Sequence, residues 1–314
     1  MAKQKMIIDC DTGVDDAQAI MMAVSRPEID VIAITCVNGN VDIDNVCKNT
    51  LRVLKICDSL HIPIFKGSAR SIVHYDEDAS HVHGKDGLGD VPDALDVNLN
   101  CIQEEHAVNA LTRLSKMHEG EVKLVALAPL TNLGLALRMD PDFSRRLKGL
   151  VIMGGNMQGK GNRSTSIASE FNFGSDPEAA YIVLHEMKCP ITIVPLELCL
   201  SQVFPWEKMV ECLDLNTRKS TFLQDITKAS VKRQKADREP GFCSCDAQAM
   251  AVAIDSSIVL KSVDIFATVE LNGNLTRGML VADWRDKLKK SPNVTIVEKT
   301  DPNKSLSIWK SMFY

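Results

Sequence analysis

Directly behind the apolar run Met6-Ile7-Ile8 comes Asp9-Cys10-Asp11-Thr12-Gly13-Val14-Asp15-Asp16, four carboxylates in eight residues. The apolar run reads as a buried strand and Gly13 as the point where the chain turns. Ala17 to Val24 then has the composition of a helix. The acids therefore cluster where a strand ends and a helix begins, the edge at which open α/β sheets bind ligands. Asp9 and Asp11, two apart on a strand, are expected on one face. Four like charges packed together are costly unless something positive is shared among them. Oxygen ligands suit a hard cation, Ca²⁺ or Mg²⁺, better than zinc. Favourable placement at a helix start accounts for Asp15 and Asp16 but leaves two acids unexplained. A calcium loop of the helix–loop–helix kind needs Gly at its sixth position and Glu at its twelfth. Counting from Asp9, those positions hold Val14 and Ile20.

The rest of the chain alternates in the same way. Apolar runs predict strands at Met6–Asp9, Val31–Val37, Pro63–Lys66, Val122–Leu127, Leu150–Met153 and Ile191–Leu196. Helices are predicted near Asp16–Ser25, Asp44–Ser59, His106–Lys116, Leu133–Arg138, Pro177–His185 and Ser220–Lys235. Strict alternation predicts an α/β fold with a mostly parallel, doubly wound sheet and helices on both faces. Asn272-Gly273, between Thr268–Leu271 and Leu280–Val281, predicts a small antiparallel addition near the C-terminus. No repeat, low-complexity tract or linker divides the chain, so residues 1–314 are read as one domain.

Three loops matter for function. Ser68–Leu95 is polar, with three glycines among acids and histidines, and Gly154–Ser169 is rich in Gly, Asn, Ser and Thr. If the alternation holds, both emerge at the acid-bearing edge as pocket wall and lid. Ser230–Gly241, with Lys232, Arg233, Lys235 and Arg238, reads as the solvated end of a helix.

A net charge of −5 and only three Tyr and three Trp leave no basic field and few stacking platforms, so neither nucleic acid nor membrane is expected as a partner. No apolar run is long enough to span a bilayer, and the opening Met-Ala-Lys-Gln-Lys carries no secretory apolar region, so the chain is expected in the cytoplasm. The ten cysteines are scattered without a Cys-x-x-Cys pair and read as reduced, packed thiols.

The string Asp-x-Asp-Thr-Gly-x-Asp-Asp-Ala resembles the N-terminal signature of the nucleoside hydrolases, the inosine–uridine-preferring nucleoside N-ribohydrolases. Further matches follow in order: Val37-Asn38-Gly39-Asn40, His81-Val82-His83-Gly84, Leu130-Thr131-Asn132, Val151-Ile152-Met153-Gly154-Gly155, Glu170-Phe171-Asn172 with Asp176-Pro177-Glu178-Ala179-Ala180, and Asp246 with Ile254-Asp255. The matching weakens only after about Trp284. An Asp-x-Asp after an N-terminal strand also opens haloacid-dehalogenase phosphatases. Those carry Thr or Val two residues after the second Asp, where this chain has Gly13.

The resemblance implies hydrolysis of a ribonucleoside to ribose and free base. Breaking an N-glycosidic bond passes through an oxocarbenium-like sugar, so the site must grip the ribose, activate a water and help the base depart. A divalent ion can hold vicinal hydroxyls while lowering the pKa of a bound water. By resemblance, Asp11, Asp16, Asp246 and the Thr131 carbonyl would ligate Ca²⁺, with Asp11 also taking the water's proton. Asp15, Asn162, Glu170 and Asn172 would bind the ribose, Asn40 would orient the site, and Met153 and His83 would line it. A small-molecule nucleoside is thus the expected partner, and the family suggests a homo-oligomer. A relative that kept the metal and ribose site without catalysis is the other reading.

Two departures stand out. Better-known members have a histidine immediately before the late aspartate, whereas this chain has Cys245, as a subset of the family does. Cys245 is therefore the candidate acid for the leaving base. Phe222 is the only aromatic between Ser220 and Pro240, where some members carry purine-stacking aromatics. Asp176, before Pro177, is expected to be a helix cap only, Thr131 to cap the helix that follows it, and Phe171 to be core.

Overall fold

A computed structural model describes residues 3–73, 79–91, 96–163 and 165–314 of the chain. Residues 74–78 and 92–95 of the first predicted loop, and residue 164 of the second, lie outside the described residues. In chain order the strands are β1 (Gln4–Cys10), β2 (Ile29–Cys36), β3 (Ile64–Lys66), β4 (Ile102–Gln103), β5 (Val122–Ala126), β6 (Leu147–Met153), β7 (Ile191–Val194), β8 (Phe204–Pro205), β9 (Gly241–Phe242), β10 (Val259–Ile265), β11 (Ala267–Val269), β12 (Leu280–Ala282) and β13 (Val294–Thr300). The helices are α1 (Val14–Val24), α2 (Ile43–Ile56), α3 (Ser80–His83), α4 (Ala107–Met117), α5 (Thr131–Met139), α6 (Phe171–Ser175), α7 (Pro177–Glu186), α8 (Leu196–Ser201), α9 (Trp206–Leu213), α10 (Arg218–Ala236), α11 (Cys245–Ile254) and α12 (Pro302–Lys310).

Nine strands form one sheet in the order β10-β13-β7-β6-β5-β1-β2-β3-β4. All its pairings are parallel except β10 on β13. Burial on both faces explains why β1 is continuously apolar. Met6, Ile8 and Cys10 enter one core with Ile20 of α1, Leu51 of α2 and Met250 of α11. Ile7 enters the other, with Leu111 of α4, Leu133 of α5 and Val183 of α7. The chain builds outward from β1 through β2, β3 and β4, then crosses to β5 on the opposite side of β1. Strand order reverses there, so the crevice at the carboxyl ends of β1 and β5 is the expected ligand site.

All six predicted strands and the mostly parallel, doubly wound sheet are present. The C-terminal addition is also antiparallel, β11 on β12, although the connection is longer than a two-residue Asn-Gly turn. The sequence pattern does not reveal β4, β8, β9, β10 and β13 or the helices α3, α6, α8, α9, α11 and α12. Among the described residues no helix is long and apolar enough to cross a membrane.

Candidate active site

The acid string spans the end of β1, the turn at Gly13 and the first turn of α1. Its four carboxylates do not share one environment. Asp9, still within β1, is fully buried; its Oδ1 accepts from the Thr35 hydroxyl at 2.5 Å and from Asn132 Nδ2 at 2.9 Å. Asp11, past the strand end, accepts the Asn40 N–H on Oδ2 at 2.8 Å and lines a cavity. The expected common face of Asp9 and Asp11 therefore does not form, because the strand alternation stops at Cys10. Asp16 reaches back over the turn, accepting Gly13 N–H at 2.8 Å, Asn40 Nδ2 at 3.2 Å and Asp11 N–H at 3.3 Å. This arrangement needs glycine at 39, where a Cβ would collide with the Asp11 carboxylate.

Asp246 arrives from the first turn of α11. One carboxylate oxygen from each of Asp15, Asp16 and Asp246 can lie within 4.8 Å of the others, an arrangement able to hold a metal ion. Burial raises Asp16 to about 7, with Asp15 adding to the rise, and pushes Asp11 and Asp246 well above the usual carboxylate range. Carboxylates forced upward by burial and by one another are those a shared cation stabilises. All the donors here are hard oxygens, and the residues therefore fit a hard divalent cation.

The cavity, about 370 Å³, opens in front of this cluster. Asp11, Asp15, Asn40, His83, Met153, Asn162, Glu170, Asn172, Cys245 and Asp246 all line it, coming from stretches far apart in the chain. Of the predicted site residues, Asp16 and Thr131 lie behind the wall, both buried. Glu170 caps α6: Oε1 accepts from Asn172 N–H at 2.8 Å, and Oε2 from Gly155 N–H at 2.8 Å and Phe173 N–H at 3.1 Å. Burial still lifts it to about 7 against those bonds. Asn172 spends its amide hydrogens on the carbonyls of Leu127 at 2.9 Å and Met153 at 3.1 Å, at the ends of β5 and β6. Its own carbonyl oxygen is left as an acceptor for a hydroxyl. His83 accepts Val14 N–H on Nδ1 at 3.1 Å, 3.8 Å from Asp15 Oδ1, and burial lowers its pKa, so the ring is neutral at pH 7.

Cys245 belongs to a cluster of thiols. Its Sγ is 3.9 Å from Cys243 Sγ, and Cys199 Sγ faces its carbonyl at 3.8 Å. The Cys199 thiol and burial hold the Cys245 pKa well above the usual thiol value, outweighing the lowering by Cys243, so it is a protonated thiol at neutral pH.

Four local expectations are corrected. Ser230–Gly241 is not merely a solvated helix end, because Ser230, Arg233, Gln234, Asp237 and Glu239 line the cavity. The end of α10 is folded over the site, with Gln234 bonded both ways to the Cys243 backbone. Phe171 lines the cavity, and Phe173 is the core aromatic. Thr131 does not cap its helix: α5 starts at Thr131 and its hydroxyl donates to Asp176 at 2.6 Å. Asp176 does cap α7, through Ala179 N–H at 3.0 Å, and also accepts from Ile72 N–H at 2.9 Å. These pairings join residues far apart in sequence, so no local pattern announces them.

Comparison with known proteins gives the same family throughout. The model for "Inosine-uridine preferring nucleoside hydrolase" matches residues 6–307. An inosine-uridine preferring nucleoside hydrolase of Crithidia fasciculata is 35% identical over 300 residues, covering 95% of this chain and 93% of that protein. One from Leishmania major is 33% identical over 304 residues, covering 96% and 94%. A solved structure of an inosine-guanosine nucleoside hydrolase superposes with a TM-score of 0.91 at 31% identity, covering 99% of this chain and 98% of that one.

Proposed function

Since the chain belongs to the inosine-uridine preferring nucleoside hydrolase family, enzymes that hydrolyse the N-glycosidic bond of ribonucleosides, we propose that the cavity before Asp15, Asp16 and Asp246 is its active site. The carrying observation is the grouping of those three carboxylates, of which Asp15 and Asp246 line a cavity whose other wall presents Glu170 and Asn172. We take residues 1–314 to be one catalytic domain acting in the cytoplasm as a homo-oligomer.

Asp11, Asp16, Asp246 and the carbonyl of Thr131 would hold Ca²⁺. The carboxylate grouping includes Asp15 where this set has Asp11, and both line the cavity. Bound there, the cation supplies positive charge that anchors vicinal hydroxyls and makes a water more acidic. Asp11, with Oδ2 engaged by Asn40, has Oδ1 left to take the water's proton. Asn40 fixes Asp11 through its backbone and Asp16 through its side chain. Asp15, Asn162, Glu170 and Asn172 surround the ribose, Asn172 as an acceptor. Met153 and the neutral His83 complete the wall. Cys245, held protonated, donates to the departing base directly or through water. Arg233, Gln234 and Glu239 face the space left for the base, and no purine sandwich forms from α10, whose only aromatic is the buried Phe222.

The test is release of reducing sugar from inosine, uridine, cytidine and xanthosine by calcium-loaded protein, beside 2′-deoxyinosine and p-nitrophenyl phosphate. Ribose release from at least one ribonucleoside, with the deoxy analogue spared and no phosphate freed, is expected. No ribose from any of them would instead favour a binding protein that kept the site.

A further inference from the structure

Two buried carboxylates outside the cavity hold the first turn of α5 from different elements. Asp176, fully buried, caps α7 with Oδ1 and accepts both the Thr131 hydroxyl, at 2.6 Å, and Ile72 N–H, at 2.9 Å, on Oδ2. Asp9, also fully buried, accepts from Asn132 Nδ2 at 2.9 Å. The same Asn132 amide donates to the Cys36 carbonyl at 3.0 Å, and its oxygen accepts Ser68 N–H at 3.0 Å. Two consecutive side chains, Thr131 and Asn132, are thus tied to β1, β2, the loop after β3 and the start of α7, and neither enters the cavity.

Capping needs one carboxylate oxygen, and an exposed Ser or Thr does it without burying a charge. Asp176 has a second oxygen committed to Thr131, two residues after Pro129, whose ring and the Asp11 carboxylate both crowd the space beside Gly39. A backbone carbonyl adds coordination without adding charge to an already acidic site, but it is useful only if the peptide plane is held still. We propose that Asp176 is a positioning residue for the metal centre: through the Thr131 hydroxyl, with the Asp9–Asn132 pair bracing the next residue, it fixes the peptide whose carbonyl completes the calcium site. This rests on the reading above in which the Thr131 carbonyl is a ligand.

The test is calcium affinity of chelator-stripped protein, measured by titration calorimetry, with apo thermal midpoints recorded alongside. Thr131→Val and Thr131→Ala keep the carbonyl and remove only the hydroxyl. Each should bind calcium about 10–100-fold more weakly, the usual cost of losing a partner behind a ligand. Asp176→Asn, which keeps a capping oxygen but offers an amide to Thr131, should show the same loss and serves if either Thr131 variant fails to fold. Thr131→Ser, which retains the hydroxyl, should restore near wild-type affinity; a purely structural role would show in the apo midpoints without this pattern. Wild-type affinity in Thr131→Val and Asp176→Asn, together with a loss in Asp246→Asn, overturns the positioning role and leaves the metal centre standing. Wild-type affinity in Asp246→Asn overturns the metal centre and this inference with it.

Discussion

Asn40 clasps the two acids on either side of the Gly13 turn: its backbone N–H donates to Asp11 Oδ2 at 2.8 Å, and its side-chain amide to Asp16 Oδ2 at 3.2 Å. It comes from the loop after β2, so two adjacent parallel strands contribute to one site. Asn40→Ala keeps the first bond and loses the second. Calcium affinity or turnover on a nucleoside should fall about 10–100-fold with little change in the fold. Unchanged affinity and turnover would remove Asn40 from the machinery.

The buried acids make the cation-free protein sensitive to pH in a defined direction. Asp9, Asp16 and Glu170 each stand near 7 in the folded protein, raised by burial. Their folded pKa exceeds the unfolded value of about 4, so the folded state binds protons more tightly in that window. Their contribution is fully present below about pH 4 and is lost as pH rises toward about 7. The thermal midpoint of chelator-stripped protein should therefore decline from about pH 5 to about pH 7.5, by roughly 1–2 °C for each kcal/mol lost. Added calcium should raise the midpoint more at the higher pH, because binding requires the deprotonated acids. A calcium effect that is larger at acid pH would contradict the cluster as its site.

Cys245 lines the cavity, and its thiol is held protonated by the neighbouring Cys199 thiol and by burial, against a lowering contribution from Cys243. If it protonates the base, Cys245→Ser should slow nucleosides with poor leaving groups by up to about 10²–10⁴-fold. Turnover of p-nitrophenyl riboside, whose leaving group needs no proton, should change far less. Equal losses on both substrates, or none on either, would make Cys245 part of the wall only.

Much of this was legible in sequence because strand ends in an α/β sheet carry the ligand-binding loops. Met6–Ile8 alternates between two cores, so it shows as an unbroken apolar run, and the acids behind it mark the edge. Asp9 misled because strand alternation was extended one residue too far. Helix α11 was missed because Ala247, Ala249, Met250 and Val252 are all buried, so the helix has no polar face to reveal its period. Strand β10 was missed for the opposite reason: Leu260, Lys261 and Ser262 are exposed at the sheet margin. The Thr131–Asp176 bond, the thiol cluster and the lining face of α10 join distant segments and have no local signature.

The most direct measurement is ribose release from inosine, or from whichever ribonucleoside the panel shows to be cleaved, by one preparation assayed as purified, after chelation and after calcium is returned, with Asp246→Asn in parallel. A calcium-dependent centre at Asp246 predicts loss on chelation, recovery with calcium, and a deficit of about 10³-fold or more in Asp246→Asn that calcium does not repair, since a cation's charge at the reacting sugar is worth several kcal/mol. Undiminished turnover in the stripped protein or in Asp246→Asn would contradict it.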